Sequence, residues 1–227
     1  LKGYGQMSAN GTMRVRVHQV NLGRRILADV PMRDDAPEVE GDFAIGGVPG
    51  TAARINLDFG DFAGAVVKRG LLPTGNPTDL IDVPGLGQTQ MSIVDMANLH
   101  VFVRASDVGL DTSQSIFDLQ VDTALVQRLE HVRAAACQHI GFGAGHDMDE
   151  LMRISVNPLL FVVAPPRAYT TNTGDAVAAD DHDLFARSMA RYEFSKAYPG
   201  SGSVGTAVAA GLPGTLAHEA TRPSAIA

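Results

Sequence analysis

The stretch Tyr198-Pro-Gly-Ser-Gly-Ser-Val-Gly-Thr-Ala-Val-Ala-Ala210 sets the tightest limit on what this chain can fold into. A loop of small residues runs straight into a short apolar helix pattern, read here as Ser203 to Ala210. Side chains this small let a ligand approach the backbone closely. Small residues all round a helix predict that it is enclosed on every side. The first N–H groups of a helix have no internal acceptor, and the helix dipole adds about half a positive charge at that end. A carboxylate or phosphate is therefore the natural ligand of Gly200, Ser201, Gly202 and Ser203. Ser195 and Lys196, just upstream, add a hydroxyl and a cation. Gly200, Gly202 and Gly205 also spell G-x-G-x-x-G, but Lys196-Ala-Tyr-Pro199 is a poor strand and too little chain follows for a dinucleotide fold. A glycine-rich surface turn capping a helix is the plain alternative.

The chain has 227 residues, of which 45% are hydrophobic, enough for one large or two smaller cores. With 18 Lys and Arg against 25 Asp and Glu and no basic run, nucleic acid is not an expected partner. The single cysteine, Cys137, rules out an internal disulfide and suits a cytoplasmic setting. No apolar run is long enough to cross a bilayer, so no membrane partner is expected. The first residue is Leu and the last few are Pro, Ser and Ala, and the expectation is a chain truncated at both ends.

Met13 to Val17 alternates apolar and charged residues, Asn21-Leu-Gly23 is a turn, and Ile26 to Met32 completes a hairpin. Further strands are expected at 54–59, 80–83, 90–96, 101–105 and 159–163. Val121, Leu125, Leu129, Val132, Ala136 and Ile140 recur at helical spacing, with Asp118 or Asp122 as N-cap and Gly141 as terminator. A second helix is expected over 183–192. Pro/Gly turns around 73–87 mark the domain boundary, giving 1–84 and 85–227.

Cys137 sits on the predicted helix without a cationic neighbour, as a buried thiol rather than a nucleophile. The histidines show no ligand spacing, so no metal is expected. Asn98 and His100 interrupt two apolar strands on one face and can hold a carboxylate between them; a satisfied turn is the alternative. Thr74 and Asn76, in Pro73-Thr-Gly-Asn76, carry the same ambiguity.

Gly41-Asp-Phe-Ala-Ile-Gly-Gly-Val-Pro-Gly50, Leu72-Pro-Thr-Gly-Asn76, Ile81-Asp-Val-Pro-Gly85 and Asn98-Leu-His-Val-Phe-Val-Arg104 occur in this order. In these motifs the chain, over residues 12 to 216, resembles the 2-methylaconitate cis-trans isomerase family. That family includes aconitate isomerase, 3-methylitaconate isomerase and 4-oxalomesaconate tautomerase. The resemblance implies an α+β, two-domain diaminopimelate epimerase-like fold, each domain a curved, mostly antiparallel sheet around a central helix. Residues 1–84 would be the remainder of the first domain and 85–227 the second. It also implies a cofactor-independent isomerase of unsaturated di- or tricarboxylates working by allylic proton transfer. Apart from the resemblance, a homodimer is the common default assembly. Pro199-Gly-Ser-Gly202 stands where the epimerases carry Cys-Gly-Ser-Gly, so two-cysteine racemisation is disfavoured. Asn98-Leu99-His100 is similar to the family's Asn-Pro-His element, with Leu99 for proline. The family's lysine and its cysteine or serine would precede residue 1, which leaves the catalytic residues unknown. Lys2-Gly3 and Tyr4 match those motifs only faintly, with too little chain before Met13 for a central helix. The alternative is a non-catalytic or truncated relative that binds an organic acid without turnover.

Overall fold

The computed structural model describes residues 5–7, 11–46 and 48–225. Two compact units divide between Ala63 and Gly64. In the first, β1 (Gly5–Met7), β2 (Thr12–Gln19), β3 (Arg24–Arg33) and β4 (Ala36–Pro37) lie side by side in chain order, and β5 (Asn56–Asp58) pairs with β3, all antiparallel. The β2–β3 hairpin turns where Asn21-Leu-Gly23 predicts, with Gly23 at φ +65°. Arg14 and Asp29 stand directly opposite each other across it, joined by two hydrogen bonds of 2.7 and 2.8 Å. Among the described residues of this unit only Ala28 and Phe62 are buried hydrophobics.

The second unit is built on a six-stranded sheet. Its strands are β6 (Asp79–Val83), β7 (Gly87–Met96), β8 (Asn98–Arg104), β9 (Leu159–Ala164), β12 (Phe185–Ala190) and β13 (Glu193–Phe194), in the spatial order β13-β12-β9-β8-β7-β6. The short strands β10 (Tyr169–Thr170) and β11 (Ala176–Val177) pair only with each other. All neighbours in the large sheet are antiparallel except β8 and β9, which are parallel. A parallel pair needs a long crossover. It is supplied by α1 (Ala105–Val108), α2 (Ile116–Val121), α3 (Thr123–Ile140) and α4 (Met148–Ile154), and α5 (Gly200–Ala210) and α6 (Leu216–Ala220) follow the sheet. No helix among the described residues is long and apolar enough to cross a membrane.

Alternation along the strands builds two faces. Leu99, Val101, Val103, Leu160 and Val162 share one core with Leu125, Leu129, Val132 and Ala136 of α3. On the other face His100 and Phe161 meet α5, and Phe102 stacks on both rings. The predicted apolar stripe of α3 is the observed one, except that Val121 belongs to α2 and is exposed. Asp122 caps α3 by accepting from the N–H of Leu125, and Gly141 closes it in the left-handed region at φ +67°. Asp118 instead answers Ser115 in the capping box of α2.

Two expectations are corrected. Residues 183–192 form strand β12 and its turn: Phe185 and Met189 are buried four apart, a spacing that suits a helix and a strand face equally, and pairing to β9 decides it. Helix α5 begins at Gly200, not Ser203, and is buried on one face only, through Gly202, Gly205, Thr206 and Ala209, while Ser203 and Ala207 are exposed. The turns at 73–87 lie within the second unit, where β6 and β7 are a regular hairpin.

Arg133 of α3 is fully buried. Its guanidinium pairs with Glu130 and donates to the carbonyls of Pro158 at 2.8 Å, Ser155 at 3.0 Å and Met152 at 3.3 Å. Glu130 in turn accepts from the N–H of Tyr192 at 2.7 Å, and burial pushes its carboxyl up from the ordinary range. Removing one partner strands the other without water, which costs about 3–5 kcal/mol. Arg133→Met should lower the urea-unfolding free energy by that order. The double variant Arg133→Met/Glu130→Met should recover a large part of the loss.

Candidate functional site

Helix α5 runs over the sheet face that carries His100 and Phe161. A methyl group on Gly205 would lie 2.3 Å from the His100 ring, and one on Gly202 would lie 2.8 Å from Phe161. Glycine at both positions is therefore a requirement of this approach. His100, Phe102 and Phe161 form a stack, with ring centroids 5.3 Å apart at the two contacts with Phe161. Tyr198 packs on Phe161 at 5.5 Å and its hydroxyl lies 2.7 Å from that of Thr206, so the loop before α5 is fastened to the helix's own second turn.

The helix start is open. Pro199 is the N-cap and offers no side-chain acceptor, and among the described residues the N–H groups of Gly200, Ser201 and Gly202 have none. Asn98 donates its amide to the Ser201 hydroxyl at 2.6 Å. Because Ser201 accepts there, its own hydrogen is free to donate to a ligand. Three N–H groups and one O–H thus remain for an anion at the positive end of the helix. Ser203 is turned away, donating to the carbonyl of Gly200 at 2.6 Å.

His100 has a different place from Asn98. Its ring is fully buried under α5, and Nδ1 donates to the carbonyl of Asn98 at 2.8 Å. Nε2 has no hydrogen-bond partner. Burial brings its pKa down to about 4, against the pull of the nearby carbonyls of Asn98, Val94 and Ser201, so the ring is neutral at pH 7. It holds the loop from beneath and reaches its open side only through Asn98. Leu99, where the family has proline, donates its N–H to the Asn157 side chain at 3.0 Å and continues β8 without a break.

The remaining sequence candidates lie apart or are otherwise engaged. Thr74 and Asn76 hold the two carboxylate oxygens of Asp79, at 2.7 and 2.8 Å, and fix the entry to β6. Ser195 bonds through its backbone to Ser188, and Lys196 is exposed, its carbonyl accepting from Asn172. Lys2, Gly3 and Tyr4 lie outside the described residues, while Gly5–Met7 are strand and not a helix start. Cys137 is fully buried and its thiol is pushed up to about 12 by burial, which removes it as a nucleophile. No group of metal-ligating side chains occurs among the described residues. Phe161, Tyr198 and Thr206 were not singled out from the sequence. In the sequence Phe161 is only part of an apolar run, and Tyr198 and Thr206 only part of the glycine-rich stretch, so their mutual contacts carry no local signal.

Residues 5–226 match the PrpF protein family. The chain belongs to the PrpF family. It is 33% identical to the 2-methyl-aconitate isomerase of Shewanella oneidensis over 92% of its length and 53% of the relative's. It is 35% identical to the 3-methylitaconate isomerase of Eubacterium barkeri over 92% of its length and 54% of the relative's. The crystal structure of methylitaconate-delta-isomerase superposes with a TM-score of 0.86 at 34% identity, covering 95% of this chain and 55% of that one. The fold is thus the two-domain α+β fold of diaminopimelate epimerase and its kin, as the motifs imply. The chain spans about half the length of the curated relatives it matches.

Two outcomes test this geometry. The folded pKa of His100 lies below its ordinary value of 6.5, so an unfolded chain takes up a proton that the folded one refuses between pH 6.5 and about 4. Stability should fall by about 3 kcal/mol as pH drops through that window. Urea unfolding at pH 7.5 and 4.5 should show this component in the wild type and lose it in His100→Gln, and proton NMR should find the ring neutral at pH 5. Separately, Gly205→Ala should cost about 1–3 kcal/mol by forcing a methyl into the His100 ring. Gly200→Ala, where the methyl would meet nothing within 4 Å, should cost much less in the same urea unfolding.

Proposed function

We propose that the protein is a cofactor-independent isomerase of unsaturated di- or tricarboxylates of the methylaconitate or aconitate type, and that the start of α5 binds one substrate carboxylate. The observation that carries this reading is the set of free donors at Gly200, Ser201 and Gly202, with the Ser201 hydroxyl oriented by Asn98. Membership of the family and the names of its relatives supply the reaction class.

The chemistry asks for such a site. Removing an allylic proton from an unsaturated polycarboxylate delocalises charge into a dienolate that ends on carboxylate oxygens. Fixed N–H groups aimed at those oxygens stabilise the charge as it grows and need no reorganisation at the moment of transfer. Neutral His100 suits this arrangement, because it supports Asn98 without placing a second titrating charge beneath the anion. A proton carrier is a separate requirement, and none of the residues gathered here fills it. Tyr198 is hydrogen-bonded to Thr206 and Cys137 is a buried thiol.

Incubation of the full-length protein with cis-aconitate, 2-methylaconitate or 3-methylitaconate in deuterated water tests the reading. Proton NMR should show the double bond moving with deuterium entering at the allylic carbon. Ser201→Asp should abolish both binding and turnover while leaving the thermal melt close to wild type, since Ser201 is only half-buried. Unchanged affinity in that variant, or absence of exchange with every substrate of the class, would overturn it.

A further inference from the structure

A second cavity lies away from α5, at the carboxyl ends of the parallel strands β8 and β9, where Arg104 is in register with Val163. Strand β8 is seven residues long, so this end stands about 20 Å from Asn98. The cleft holds about 440 Å³, within the range of small-molecule sites. Leu110, Val163 and Leu216, all buried residues, contribute apolar lining, and Arg104, Thr112, Arg167 and Glu219 contribute polar groups.

The polar groups are unequally engaged. Arg104 is committed: it donates to Gln90 at 2.7 Å, to Asp107 at 3.3 Å and to Glu219 at 2.5 Å. Asp111, also at the cleft, accepts from the N–H and hydroxyl of Ser113. Arg167 is different. It uses Nη1 on the Thr112 hydroxyl, and its Nε and Nη2 have no acceptor among the described residues. One guanidinium edge of this lining residue, with two parallel N–H donors, therefore has no hydrogen-bond acceptor, although the Arg167 charge also helps hold the Asp111 carboxyl below its ordinary range after the bonds from Ser113.

We propose that this cleft is a second ligand site, taking a small monocarboxylate with an aliphatic chain. The carboxylate pairs with the free edge of Arg167 in the two-bond geometry that guanidinium and carboxylate share. The hydrocarbon lies on Leu110, Val163 and Leu216. With Arg104 already paired to Glu219 and Asp107, Arg167 alone offers an unengaged cationic edge among the described lining residues, which favours a single carboxylate over a phosphate or dicarboxylate. The site is independent of the helix start and of the reaction proposed there.

Titration with hexanoate, followed by methyl NMR, reads this directly, with hexylammonium and hexan-1-ol as matched probes. Saturable shifts are expected at the methyl groups of Leu110, Val163 and Leu216 with hexanoate alone. Arg167→Gln, at an exposed position, should weaken binding about tenfold or more and leave the fold unchanged. Ser201→Asp should leave hexanoate binding unaltered. Equal binding of hexylammonium or hexan-1-ol, no loss in Arg167→Gln, shifts that follow Ser201→Asp, or no saturation would each overturn the proposal.

Discussion

A charge pair with no access to water organises the second unit. Burying Arg133 is tolerable only if every side of its guanidinium is met, and Glu130 together with the carbonyls of Met152, Ser155 and Pro158 meets it. Those carbonyls belong to the end of α4 and the segment entering β9, so the pair sets where the parallel strand begins. Asn157, inside that segment, accepts from the N–H of Leu99. Leu99 stands between Asn98 and His100, which bear on Ser201 and on the flank of α5. Hydrogen bonds joined by short backbone links thus connect α3 to the open helix start.

The open start depends equally on what is missing. With side chains at Gly202 and Gly205 the helix would ride higher, and neither Phe161 nor His100 could lie beneath it. The same closeness makes His100 expensive to charge, since a buried imidazolium would have to be paid for in lost hydration. Electrostatic uniformity results: the positive end of the helix acts beside a neutral ring rather than a titrating one.

Much of this was legible from residue order. The Met13–Val17 alternation and its glycine turn, the α3 stripe with Asp122 and Gly141 at its ends, and the continuous apolar run into β9 all reflect local periodicity and capping, which single residues encode. The glycine loop was legible for the same reason, but the motifs pair Asn98 with His100, and only the structure brings Asn98 to Ser201 at the helix start. What stayed hidden was tertiary. Phe185 and Met189 suit helix and strand alike, and only β9 chooses between them. Arg133 reads as a polar interruption of an apolar stripe until three carbonyls from another segment surround it. His100 shares a face with Asn98, but whether a ring on that face meets solvent or the underside of a helix is decided by Gly205, more than a hundred positions away.

The hydrogen bond from Asn98 to Ser201 spans 103 positions. Chain closure over such a distance is slow and is rewarded only once the intervening crossover and β9 are in place. During synthesis β7 and β8 leave the ribosome long before α5 exists, so the ring face of the sheet waits uncovered. The contact between Asn98 and Ser201 therefore cannot form before the crossover and β9 have been made, and the donors at the start of α5 are assembled late relative to the sheet they rest on.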